Sequence, residues 1–179
     1  MAAILLITFL LYFKTLSYGF FNLDDPGNIL QNSLIKTLSV KGIIHFFYVF
    51  NDGNYYPLTL LLWTIGNAMG GINPFIYHFG NILLHLVNTM LAILLVRNIT
   101  GKEMVALITG LLFALHPMHA EPVIWITSRK YLLYTFFFLL SLLFYHKYLK
   151  DNTRKFYIYS LLFFLCSLLS KGMAGRCHG

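Results

Sequence analysis

The sequence predicts an all-α, polytopic transmembrane bundle of about five membrane helices, with surface helices in its first long loop. Three observations predict it. The 179 residues are 58% hydrophobic and only 11% charged, whereas soluble domains carry roughly a quarter charged residues. Apolar runs such as MVALITGLLFAL and YLLYTFFFLLSLLFY approach the ~20 residues that cross a bilayer. The basic residues sit in short loops between those runs, as the positive-inside rule requires.

The first helix is expected over about Ala2 to Tyr18, with Lys14 near enough to its end to snorkel. The run MAAILLITFLLYFK lacks a basic n-region and a small-x-small cleavage site, so it reads as a retained helix and not a signal peptide. A polar-aromatic segment, Gly19 to Tyr56, follows, and within it LSVKGIIHFFYVF is weakly amphipathic and suits the membrane surface. PLTLLLWTIGNAM, from Pro57 to Met69, is short for a span and is broken by Gly70, Gly71 and Pro74. It reads as a surface or re-entrant helix. Further spans are expected over about Phe75 to Val96, Met104 to Leu115, Lys130 to Tyr145 and Phe156 to Leu169.

Charge orients these spans. The loop Arg97 to Lys102 has two cations, and HKYLKDNTRK has four cations against one acid. Both should be cytoplasmic. Alternation then puts the first long loop, the loop after Leu115 and Lys171 on the opposite face, periplasmic in a bacterial inner membrane or luminal in the endoplasmic reticulum. That one face collects the unusual polar groups. A net charge of +7 could suggest nucleic acid, but no basic face with interleaved aromatics stands on a soluble module. The bilayer is the partner that composition implies. Cys166 and Cys177 match neither a disulfide framework nor a metal signature.

Four constellations can carry chemistry. Asp24 and Asp25 can supply a general base for an acceptor hydroxyl or hold a divalent metal; Asp25 before Pro26 also matches a helix cap with Pro at the first position. His116, His119 and Glu121 occur within six positions, in ALHPMHAEPVIWITSRK. They can bind metal or phosphate or relay protons, or form a polar turn. Arg129 and Lys130, with Lys171, are cations suited to phosphate at a membrane surface or to snorkelling. His78, Asn81, His85 and Asn88 recur at steps of three and four, forming one helical stripe. Such a stripe should face protein, through interhelical hydrogen bonds, or line a watery cavity.

The order of motifs is distinctive: DD after the first helix, NYYPLTLL, INPFIYHFGNILLHLVNTMLAILLVR, LLFALHPMHAEPVIWITSRKYLL and LLSKGMA. It resembles the amino-terminal membrane half of the transmembrane and tetratricopeptide-repeat O-mannosyltransferases and their bacterial relatives, within the GT-C superfamily. The resemblance covers about Gly19 to Ala174. It implies inverting transfer of a sugar, mannose by the family's name, from a polyprenyl-phosphate donor to a hydroxyl on a protein or glycan, outside the cytoplasm. It implies that Asp24 or Asp25 is the catalytic base and that His116, His119, Glu121 and Arg129 line the donor or acceptor site. Members usually read GRxD where this chain has Ser128-Arg129-Lys130-Tyr131, so the glycine and the acid are missing. The resemblance also implies a fragment: residues 1–174 as part of a GT-C membrane domain and 175–179 as a truncated tail without repeats. Two rival readings are a non-catalytic membrane scaffold and a transporter or cytochrome using His78 and His85.

Overall fold

A computed structural model describes residues 1–22, 24–50 and 54–171. The expected domain end at 174, the tail 175–179 and Cys177 lie outside the described residues. The described residues form helices and turns. These are α1 (Ala2–Tyr12, continued by a 3-10 turn, Phe13–Ser17), α2 (Val40–Phe46), α3 (Pro57–Gly70), α4 (Pro74–Thr100), α5 (Glu103–Leu115), α6 (Ala120–Ile124), α7 (Arg129–Asp151) and α8 (Arg154–Ser170).

Among the described residues two helices, α4 and α7, are long and apolar enough to cross a membrane. A third candidate is the pair made by α5 and the segment Pro117–Ile124, bent by 54°. The expected count of five spans therefore rests on α1 and α8, which have 11 and 17 residues. At 1.5 Å per residue even α8 is only about 26 Å long, short of a ~30 Å hydrocarbon core.

The helix ends follow local chemistry. Asn73 caps α4 by accepting a hydrogen bond from Phe75 N at 3.1 Å, with Pro74 at the first helical position. Gly101, at φ +68°, stops α4 in the left-handed conformation that glycine adopts without strain. Asn152, also left-handed at φ 48°, ends α7.

α4 is the hub. α5 and α7 pack along it, and α1, α3 and α6 touch it nearer its N-terminus. α8 packs back along α7 and reaches α3. Two ends result. One gathers the first loop, the α5–α7 connection, the start of α7 and the end of α8. The other gathers the α4–α5 and α7–α8 turns. Two core clusters support the first end: Ile29, Phe46, Tyr56, Trp63 and Tyr77 in one, and Tyr12, Ile82, Val123 and Leu132 in the other. The segment from Pro57 is not a detached surface helix. Its Leu60 and Trp63 are buried in that core, while Ile65 and Met69 stay exposed.

Candidate functional site

The site begins with the stripe on α4. His78, Asn81, His85 and Asn88 are each at most 1% exposed. Their ring and amide nitrogens go to backbone carbonyls of neighbouring segments, and those of α5 and α6 lie at helix C-termini, where intrahelical partners run out. His85 Nε2 donates to Ala114 O, in the last turn of α5, at 3.1 Å. Asn81 Nδ2 lies 3.2–3.4 Å from the carbonyls of Pro122, Val123 and Trp125, at and just beyond the end of α6. Asn88 Nδ2 donates to Leu132 O at 2.9 Å. His78 Nε2 faces Gly19 O at 3.4 Å. The stripe thus ties the broken α5–α7 connection and the first loop to the hub. This is the interhelical bonding expected of polar groups in an apolar bundle. Periodicity had left that role open beside a cavity wall, and His85 and Asn88 also line a cavity.

Arg129 is 2% exposed. Its Nε donates to Asn81 Oδ1 at 2.6 Å, and its Nη2 donates to the carbonyl of Tyr77. The guanidinium also lies 5.5 Å from the Tyr77 ring centroid. Gly80 makes the room, because a Cβ there would stand 2.8 Å from Arg129 Nη2. Arg129 is therefore sequestered as a brace at the start of α7. Composition gave no signal for Tyr77 or Gly80; a glycine inside an otherwise unbroken helix was the available hint.

Asp25 is fully buried. Its carboxylate accepts from Phe21 N at 2.8 Å and from Thr127 N at 3.2 Å. No side-chain cap bond forms at Pro26–Leu30, so the capping expectation for Asp25 is corrected: the carboxylate ties the first loop to the segment before α7. Asp24 stays exposed, within electrostatic reach of Lys130. Lys130 also feels Lys171, and the two ammonium groups lie 5.8 and 4.2 Å from the Tyr131 ring. Thr59 Oγ1 donates to Ser170 O at 2.8 Å, which anchors α8 beside this end. Residues 24, 130 and 171 thus share one end of the bundle.

The His/Glu cluster divides. His116 is exposed, and its Nδ1 accepts from Met118 N at 3.2 Å, capping the turn Pro117–His119. His119 turns inward, with its ring 4.4 Å from Phe113 and 5.9 Å from His85. Glu121 is exposed at the mouth of a separate apolar hollow with Phe21 and Trp125. A cavity of about 270 Å³ lies beside His85, Asn88, His119, Tyr131, Tyr134 and Lys171. Behind its wall, His85 Nδ1 and Asn88 Oδ1 are buried and have no hydrogen-bond partner among the described residues. Among the described residues no three metal-ligating side chains converge, and both oxygens of Asp25 already accept N–H donors.

No family model matches the chain, and no solved structure matches it. Curated proteins do. The chain is 31% identical over 182 residues to Protein O-mannosyl-transferase Tmtc1 of Drosophila melanogaster, covering 94% of this chain and 20% of that protein. It is 36% identical over 149 residues to Protein O-mannosyl-transferase TMTC2 of Mus musculus, covering 76% of this chain and 17% of that protein. It is 40% identical over 114 residues to tmtc2 of Xenopus laevis, covering 64% and 13%. The chain thus spans a fifth or less of the relatives it matches, and over most of its own length it is similar to one segment of protein O-mannosyl-transferases.

Proposed function

We propose that this chain forms the lipid-phosphate and base-bearing part of a membrane mannosyltransferase. It transfers mannose from a polyprenyl-phosphate donor to a hydroxyl of a protein acceptor, on the non-cytoplasmic face. The luminal face of the endoplasmic reticulum fits relatives from animals. The carrying observation is the tie from Asp25 to Thr127 N, across 102 positions, which supports a reading with exposed Asp24 within electrostatic reach of Lys130, itself within reach of Lys171.

In this reading the two aspartates have different tasks. Asp24 is accessible and takes the proton of the acceptor hydroxyl as its oxygen attacks the anomeric carbon. The bond from that carbon to the phosphate oxygen breaks, and the lipid phosphate leaves with the electron pair. Lys130 and Lys171 offset its charge. Asp25, with both oxygens engaged, positions the loop. Arg129, already held by Asn81 and Tyr77, orients the start of α7 from beneath. The cavity lined by His119, Tyr131, Tyr134 and Lys171 sets polar groups beside aromatic rings, a surface suited to a sugar.

The test is mannosyl transfer from lipid-linked mannose, measured in membranes with the segment in a protein of its relatives' length. Asp24→Asn should lower kcat by about 10²-fold or more and leave donor binding and thermal stability near the parent's. Asp25→Asn should instead lower the unfolding temperature together with activity. Full turnover by Asp24→Asn sinks the base assignment.

A further inference from the structure

A second hollow lies at the end opposite Asp24. It has a volume of about 460 Å³ and runs between α7 and the end of α4. Its floor is Leu140, Leu143 and Phe144, and its rim carries His146, Lys147 and Lys150 against one acid, Asp151. The proposed transfer uses none of these residues.

The rim is arranged for an anion. Lys150 Nζ reaches across to Asn98 O of α4, at 3.5 Å. Lys147 Nζ leans the other way, 4.2 Å from the Phe156 ring of α8. Neither ammonium forms an ion pair among the described residues. His146 lines the same hollow, but its Nε2 is shut off from solvent. Two cations against a single carboxylate leave the rim net positive and in want of an anion. A phosphate oxygen meets that need with charge-assisted bonds.

The floor identifies the source of the phosphate. Leu140 lies seven positions before Lys147 on α7, which is about 10 Å deeper along a helix. An inorganic phosphate has no use for an apolar floor at that depth. A phospholipid does, because its headgroup stands at the rim while its chains run inward along the helix. Basic pockets between membrane helices are suited to anionic headgroups. We propose that this groove binds an anionic phospholipid, with the phosphate held at the rim by Lys147 and Lys150 and the chains lying along Leu140 and Leu143.

The experiment is native mass spectrometry of the full chain in neutral detergent, titrated with phosphatidylglycerol or with phosphatidylcholine. The native chain should retain phosphatidylglycerol at least roughly tenfold better, from two cations near a headgroup. Lys147→Ala with Lys150→Ala should erase that preference, while Lys36→Ala, outside the groove, should leave it. Leu143→Trp keeps both ammonium groups and fills the floor, so it should lower retention of phosphatidylglycerol even where the double variant fails to fold. Millimolar inorganic phosphate should not displace the lipid. Equal retention of the two lipids, unchanged retention in Leu143→Trp, or displacement by inorganic phosphate each overturns the proposal.

Discussion

α4 and α8 are both apolar helices, but they join the bundle by different means. α4 buries His78, Asn81, His85 and Asn88 and sends their donors to carbonyls of α5, α6, α7 and their connections. α8 buries only Ser160, Ser167 and Ser170 and leaves Ile158, Leu161, Leu162, Leu165 and Leu168 exposed. Its contact with α7 combines aromatic pairs such as Phe137–Phe163 and Phe144–Phe163 with a polar tie, Ser141 Oγ donating to Ser160 O at 2.9 Å. The lesson concerns what holds helices together where the surroundings are as apolar as the side chains. Burial of leucine then gains little, and polar bonds and close backbone approach decide the packing. Long polar side chains bridge to open carbonyls at a distance. Serines serve only where two backbones already touch.

That contrast can be broken most forcefully at Asn81. Asn81→Leu removes the acceptor for Arg129 and the donor for the α6 carbonyls together. A buried cation then loses a hydrogen bond, a loss on the order of 3 kcal/mol. Chemical unfolding in detergent should register it as a lower midpoint. A midpoint equal to the parent's would show that the stripe is not what binds α4 to its neighbours.

A smaller effect is expected at Gly80. A methyl group there meets Arg129 Nη2, so Gly80→Ala should cost about 1–3 kcal/mol by overpacking. It should also loosen the start of α7, read as faster hydrogen exchange around Arg129. The smallest effect belongs to α8. Ser160→Ala keeps the backbone acceptor for Ser141 and should change stability by about 0.5 kcal/mol or less. A larger loss would place α8 in the same class as α4.

The parts legible in sequence were those governed by periodicity. The stripe on α4 followed from its three- and four-residue steps, and the chain folds with all four members buried. The ends of α4, α5, α7 and α8 fell within a few residues of expectation at three of the four, the exception being α7, which runs on to Asp151. Much of the site was not legible. His116, His119 and Glu121 are neighbours in sequence, yet the short turn Pro117–His119 sends His119 toward Phe113 and leaves Glu121 on another surface. Asp25 carried a capping signature, but the amides of Phe21 and Thr127 compete for its oxygens and win. Arg129 looked like an exposed phosphate ligand because its two partners, Tyr77 and Asn81, lie about fifty positions away. Such contacts depend on which turn faces which, and local pattern does not encode that.

The bond from Asp25 to the Thr127 amide also sets a timetable. During synthesis the first loop emerges long before its docking partner exists. About 100 residues take roughly 5–20 s to add, and for that interval the Asp25 carboxylate has no amide at Thr127 to receive it. Until then the loop is held by its contacts with Tyr56, Trp63 and Tyr77. The Asp25 tie closes only after α4 to α6 have been delivered, so the Asp24 end cannot be completed before Thr127 has emerged.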